Sequence, residues 1–316
     1  MDKYSLEEVK VATLNYFRED DLATDVWISK YCLKDSVGNL YEKTPDDMHH
    51  RLAKEFARIE AKYPNPLSED EIYGLLKDFK YIVPQGSPMY GIGNDYQLTS
   101  ISNCFFVGNN NGADSYGSIM RTDEEIAQIY KRRGGCGIDL SHYRPSGAIA
   151  SGSELKGDAG ATLYMDRFSN TTREVAQSNR RGALMESISI KHPDAEKFID
   201  KKMDLGKVTG ANISVKITNE FMESVKNDDY FYQTFPIDAT MVELTGTINY
   251  DDPDINECDV LYKSSGIRSG YYKKIKAKKL WDKLIVNNHK SAEPGILFWD
   301  KFVSESTSES YEDHDI

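Results

Sequence analysis

No stretch of this 316-residue chain is apolar for long enough to cross a bilayer, and its opening residues, Met1 to Glu8, lack the apolar centre of a secretory signal. The expected location is the cytosol, with no membrane partner. Cysteine is scarce: Cys32, Cys104, Cys136 and Cys258 are widely spaced and form no CxxC pair, which argues against a disulfide framework and a zinc site alike. The histidines form no cluster, so no metal is expected; His49 and His50 fall on a helical face with charged neighbours, and His192 precedes a proline. Positive charge is also in deficit. A formal charge of -12 leaves no broad basic face, which argues against nucleic acid as a bulk electrostatic partner and limits any anionic ligand to something small. There is no GK[ST] loop and no GxGxxG opening a helix, so the P-loop and dinucleotide fingerprints are absent.

What is present is enough apolar residue, 39%, to bury a substantial core in one large domain or two smaller ones. Thr44-Pro45-Asp46-Asp47 offers an N-cap, a proline at the first helical position and acids in the first turn, and Met48, Leu52, Phe56 and Ile59 recur on one helical face. Ser68-Glu69-Asp70-Glu71 is a capping box leading into Ile72, Leu75, Leu76 and Phe79. The first eighty or so residues read as a small helical domain.

After Pro84 strands alternate with helices. Ile101 to Val107 is an apolar, β-favouring run, and Thr122-Asp123-Glu124-Glu125 is a further capping box, starting a helix whose last turn is Lys131-Arg132-Arg133, closed by Gly134. Strand and then helix follow in Ser187 to Ile190 with Pro193 to Lys202, and in Asn212 to Ile217 with Glu220 to Lys226. That rhythm indicates an α/β sheet or barrel. Residues 238–274 read as an irregular surface insertion, after which Leu280, Trp281, Leu284 and Ile285 restore helical spacing and Ile296 to Trp299 forms a strand. A polar tail occupies 304–316.

Two basic-glycine stretches stand out against the acidic whole: Lys131-Arg132-Arg133-Gly134-Gly135-Cys136-Gly137 and Gln177-Ser178-Asn179-Arg180-Arg181-Gly182-Ala183. Cations beside bare backbone make local anion sites, and both are read as phosphate-handling loops. The first reads equally as a helix C-cap with arginines complementing the dipole. Cys104, within Ile101-Ser102-Asn103-Cys104-Phe105-Phe106-Val107, reads on the residues alone as a small buried hydrophobe.

The segments Leu98 to Phe105, Arg132-Arg133-Gly134-Gly135-Cys136-Gly137-Ile138-Asp139-Leu140-Ser141-His142-Tyr143-Arg144-Pro145 and Arg180 to Met185 closely resemble the large (α) subunit of class I and class II ribonucleotide reductases. Ser189 to Asp200, Gly210 to Val215 and Glu293-Pro294-Gly295-Ile296-Leu297-Phe298-Trp299-Asp300 extend the likeness in family order. It covers about the first half of such a subunit. The fold it implies is a helical N-terminal domain (1–84) followed by the first part of a ten-stranded α/β barrel (85–303). The activity it implies is radical conversion of ribonucleotides to deoxyribonucleotides.

In that family a thiyl-radical cysteine in an Asn-x-Cys-x-Glu pattern attacks the ribose, and two further cysteines supply electrons. The resemblance matches Cys104 to the first cysteine of the reducing pair and places the second, with the radical motif, beyond Ile316 in a separate C-terminal half. It places Ser87, Asn103, Cys104 and Gly135 around the ribonucleotide, with Arg181 as the substrate-facing arginine of the loop Gln177 to Ala183. Asp114, Ser115, Tyr116 and Arg144 correspond to the site for a dNTP or ATP effector at a homodimer interface. Cys136 is left structural. No cofactor is assigned to this segment itself, the radical coming from adenosylcobalamin or from a metal-containing small subunit. The other expectation carried forward is a non-catalytic nucleotide-binding remnant or regulatory module.

Overall fold

The computed structural model describes residues 2–108, 114–150, 153–156, 159–175, 182–204, 206–236, 261–265 and 268–307. Their contacts divide the chain into two units. One comprises Met1–Phe105, Gln128–Gly135 and Val175–Gly182, the other Phe106–Ala127, Cys136–Glu174 and Ala183–Ile316.

The first unit is built from α1 (Leu6–Tyr16), α2 (Asp21–Lys30), α3 (Pro45–Glu60), α4 (Glu69–Leu76) and the short α5 (Gly86–Gly91). Both expected capping boxes form: Thr44 with Asp47 opens α3, and Ser68 with Glu71 opens α4. The apolar stripe of α3 buries Met48 and Leu52 completely, together with Val9, Trp27, Cys32, Leu40, Ile72 and Leu76. Each such side chain contributes about 1.5–3 kcal/mol of transfer free energy. His49 departs from its sequence reading, being fully buried on α3 with its ring edge-on to Phe79. A buried pair ties the helices to α5. Glu42 Oε1 accepts from Arg51 Nε at 2.7 Å and Oε2 from the Leu33 N–H at 2.8 Å, while Arg51 Nη2 donates to the Met89 carbonyl at 2.9 Å and Nη1 to that of Ile92.

The α/β region begins with β1 (Cys104–Val107), α6 (Tyr116–Lys131) and β2 (Gly135–Asp139), followed by a small ribbon of β3 (Ile149–Ala150) and β4 (Ser153–Glu154). Then come α7 (Leu163–Glu174), β5 (Leu184–Ser189), α8 (Ala195–Asp200), β6 (Ala211–Ile217) and α9 (Asn219–Lys226). The chain continues through β7 (Tyr230–Pro236), β8 (Leu261–Ser265), β9 (Arg268–Lys276), α10 (Ala277–Ser291), β10 (Gly295–Phe298) and α11 (Trp299–Glu305). The main sheet has the order β1-β2-β5-β6-β10, with β2, β5, β6 and β10 mutually parallel. Helical crossovers between parallel strands bury one face, so Ile138, Ile188, Ile213 and Val215 are nearly inaccessible.

Three expectations are corrected. The helix expected to start at Thr122 starts at Tyr116, because Ser115 already supplies the cap: its Oγ accepts the Ser118 N–H at 3.1 Å and its carbonyl the Ile119 N–H at 3.0 Å. Burial of Ile119 and Ile126 carries the helix straight through Thr122, itself only 3% exposed. The same helix ends at Lys131, and the left-handed residue that closes it is Arg133 (φ 68°), not Gly134. Within the expected insertion, Leu261–Ser265 and Arg268–Lys276 are strands, pairing with β7 in a three-stranded antiparallel sheet of order β7-β9-β8. Of that stretch, 238–260 and 266–267 lie outside the described residues.

Candidate functional site

Four of the five expected substrate residues meet in the first unit. Ser87 sits in the first turn of α5, Asn103 just before β1, Cys104 at the start of β1 and Gly135 at the start of β2. The Asn103 side chain and main chain join the others. Its Oδ1 accepts the Ser87 N–H at 2.8 Å, and its carbonyl accepts the Gly135 N–H at 2.6 Å. Ser87 is fully buried, its hydroxyl donating to the Arg133 carbonyl at 2.9 Å. Arg181 lies outside the described residues, as do Gln177 to Arg180.

Cys104 is exposed, so the buried-hydrophobe reading does not hold. Strand alternation puts its side chain on the face of β1 that carries Phe106, also exposed, while Phe105 turns to the other face and lies against Gly134. A thiol so placed is open to a ligand or to a second thiol. Cys136 is buried, as a structural cysteine should be, and burial pushes the Cys32 thiol up to about 12. Cys258 lies outside the described residues.

Of the two readings held open for Lys131 to Gly137, phosphate loop and helix C-cap, the contacts of Arg132 follow the second and those of Arg133 follow neither. Arg132 Nη1 donates to the Gln128 carbonyl at 2.8 Å and to its Oε1 at 3.1 Å, finishing the last turn of its own helix. The Arg133 guanidinium lies 3.7 Å above the Tyr90 ring and donates to the Lys30 carbonyl. Local sequence left a phosphate loop and a helix cap equally open because cations and glycines are adjacent; the tertiary contacts at Tyr90 and Lys30 are remote in sequence.

In the second unit the expected effector residues also meet. Asp114 Oδ1 accepts the Arg144 backbone N–H at 2.7 Å and Oδ2 accepts its Nε at 2.6 Å, a two-point pairing across a half-buried site. Burial pushes the Asp114 carboxyl up and outweighs Arg144, which holds it down. Ser115 is engaged as the helix cap and Tyr116 is exposed. Residues 109–113 lie outside the described ones.

Sequence reasoning missed a polar cluster on the face of the sheet opposite Ile138, Ile213 and Val215. Asp139 in β2 forms a buried ion pair with Lys216 in β6, accepts the Ser141 hydroxyl at 2.7 Å and lies 3.3 Å from the Ser187 hydroxyl; the Lys216 ammonium is 4.5 Å from the Trp299 ring centre. The available signal was Lys216 itself, a charge interrupting the apolar run Ile213 to Ile217. His192 is locked and neutral: burial lowers its pKa, Nδ1 accepts the Asp194 N–H at 3.0 Å, and Nε2 therefore donates to the Tyr143 carbonyl at 2.8 Å. Among the described residues no group of three or more His, Cys, Asp or Glu side chains could hold a metal, and no helix is long and apolar enough to cross a membrane.

The family model for the ribonucleotide reductase barrel domain matches residues 102–316, and that for the ribonucleotide reductase all-alpha domain matches residues 17–91. The chain is 30% identical to a vitamin B12-dependent ribonucleoside-diphosphate reductase of Thermoplasma acidophilum, over 90% of this chain and 40% of that protein. It is 28% identical to the ribonucleoside-diphosphate reductase large subunit of Acanthamoeba polyphaga mimivirus, over 63% and 22%, and 26% identical to a vitamin B12-dependent ribonucleotide reductase of Streptomyces avermitilis, over 77% and 26%. The chain thus spans 40% or less of the length of these relatives. With both domain models matched in order along it, the chain belongs to the ribonucleotide reductase large-subunit family.

Proposed function

We propose that this chain provides the substrate pocket, one reducing thiol and the effector-specificity site of a ribonucleoside-diphosphate reductase. The observation that carries the reading is the junction of Ser87, Asn103 and Gly135 beside the exposed thiol of Cys104. With the Ser87 N–H and hydroxyl and the Gly135 N–H bonded within the junction, these residues shape the wall against which a ribonucleotide lies, and a thiol at the same place suits reduction of its sugar. The chemistry balances with a second thiol: two thiols give up two electrons and two protons to become a disulfide, and the ribose 2′ oxygen leaves as water. That second thiol and the radical cysteine come from further polypeptide, continuous with this chain or separately encoded.

Asp114 and Arg144 serve a nucleotide effector, the carboxylate for a ribose hydroxyl and the guanidinium for phosphate, at a homodimer interface. Relatives named vitamin B12-dependent favour adenosylcobalamin over a metal-bearing small subunit as the radical source. The chemistry assigned to these residues is nucleotide binding and thiol reduction.

The test is to supply the polypeptide bearing the Asn-x-Cys-x-Glu motif and measure deoxynucleotide formation, with Cys104→Ser as control. Activity that the serine variant loses under multiple turnover with thiol regeneration supports the reading. Full activity of that variant removes Cys104 as reductant, and nucleotide binding without turnover in the completed protein favours a regulatory module.

A further inference from the structure

We propose that Arg133 is the positioning residue of the Ser87–Asn103–Gly135 junction, acting through the backbone rather than as a phosphate ligand. Its relevance to substrate rests on the function proposed above, but the clamp itself does not.

The helix α6 closes in a pattern that normally ends on glycine. The Arg133 N–H bonds the Tyr130 carbonyl at 2.9 Å and the Gly134 N–H reaches back to that of Ile129 at 3.1 Å, with the residue between helix and loop in the left-handed region. Here that residue is Arg133, although two glycines follow it. Gly134 is needed for a different reason: a Cβ there would stand 2.5 Å from Ile129 Cγ2 and 2.9 Å from the Phe105 ring. The chain therefore places a long side chain at the one position whose φ would welcome glycine, and other contacts must offset that unfavourable conformation.

Those contacts radiate from one residue. The guanidinium stacks 3.7 Å over Tyr90, which is 3% exposed and belongs to α5. It also donates to the carbonyl of Lys30, the last residue of α2, where the helix dipole is negative. The carbonyl of Arg133 accepts the Ser87 hydroxyl, so α5 is gripped twice, by its side chain at Tyr90 and by its main chain at Ser87. Two residues later Gly135 bonds Asn103, which in turn holds the Ser87 N–H. Loosening the Arg133 side chain lets α5 shift, and Ser87, Asn103 and Gly135 lose their common register.

The test uses the full chain carrying Arg133→Gly or Arg133→Lys. Glycine suits the turn, so exchange of the amides in Ile126 to Tyr130 should stay at the wild-type rate in Arg133→Gly, whereas the Ser87 and Gly135 amides should exchange tenfold faster or more. Affinity for cytidine diphosphate, measured by calorimetry, should fall by a comparable factor. Lysine keeps the charge without the flat stacking fork and should behave similarly. Exchange at Ser87 and Gly135 within twofold of wild type in Arg133→Gly overturns the proposal. That result together with lost affinity would make Arg133 a direct ligand instead. Faster exchange with no diphosphate binding even by the wild type leaves the clamp standing and removes the substrate reading of the junction.

Discussion

Glu186 lies in the middle of β5, in register with Ile138 on one side and Ile213 on the other, fully buried, and among the described residues neither carboxylate oxygen has a hydrogen-bond partner. Desolvation therefore pushes its pKa well above the ordinary 4.5, with Asp166 adding to the rise and Lys202 and Lys201 opposing it. The folded carboxyl keeps its proton where the unfolded one has lost it. For an acid raised in this way the contribution to stability is fully present below the unfolded pKa and is lost as pH climbs toward the folded one. Each pH unit over which the folded group holds its proton and the unfolded one does not costs about 1.4 kcal/mol. Against a net stability of about 5–15 kcal/mol that is a large fraction. Glu186→Gln keeps the shape and removes the titration. Urea unfolding of both proteins at pH 5, 6 and 7.5 should show wild type losing ground to the variant as pH rises, other titrating groups cancelling in the difference. Parallel curves would refute the argument and mean that Glu186 finds a partner in solution.

Two further predictions follow from the burial pattern. Arg51→Met strands Glu42 in the interior and should destabilise the helical unit by about 3–5 kcal/mol at neutral pH, and by less in acid where Glu42 can take up a proton, measured as thermal midpoint against pH. With Cys104 exposed and Cys32 and Cys136 buried, iodoacetamide should alkylate Cys104 before either of those two in the native chain, as read by peptide mapping; earlier labelling of Cys32 or Cys136 would contradict the placement of β1.

The helices of the first unit were legible because caps and apolar spacing agreed: Thr44 and Ser68 each stand immediately before a stripe that begins within a turn. Thr122 shows the limit of that signal. A capping box inside a helix looks the same as one at its start, and only the burial of Ile119, upstream, decides. The junction of Ser87, Asn103, Cys104 and Gly135 could be named from motif likeness, yet its bonds join residues up to 46 apart, and no local pattern encodes them. Glu186 left a readable trace, since it falls in phase with Leu184 and Ile188 on the buried side of β5, a position where a charge calls for explanation. The left-handed Arg133 left none, because its neighbours Gly134 and Gly135 are the residues to which such a conformation is ordinarily assigned.

The pairing of Asp114 with Arg144 makes the effector proposal sharper. The guanidinium that would take phosphate is paired with the carboxylate that would take the ribose. A ligand phosphate competes with Oδ2 for the charge of the Arg144 guanidinium, while Oδ1 can stay on the Arg144 backbone N–H. Asp114→Asn keeps an acceptor for that N–H and removes the competing charge, so inorganic tripolyphosphate should bind the variant several-fold more tightly. A deoxynucleoside triphosphate gains the same release but gives up its contact with a charged acceptor, and its affinity should rise less than that of tripolyphosphate or fall. Equal gains for both ligands would show that Asp114 acts only as a competitor and that the ribose is read elsewhere. No gain for either would mean that Arg144 does not receive phosphate at all, and the effector site would have to be sought on other residues.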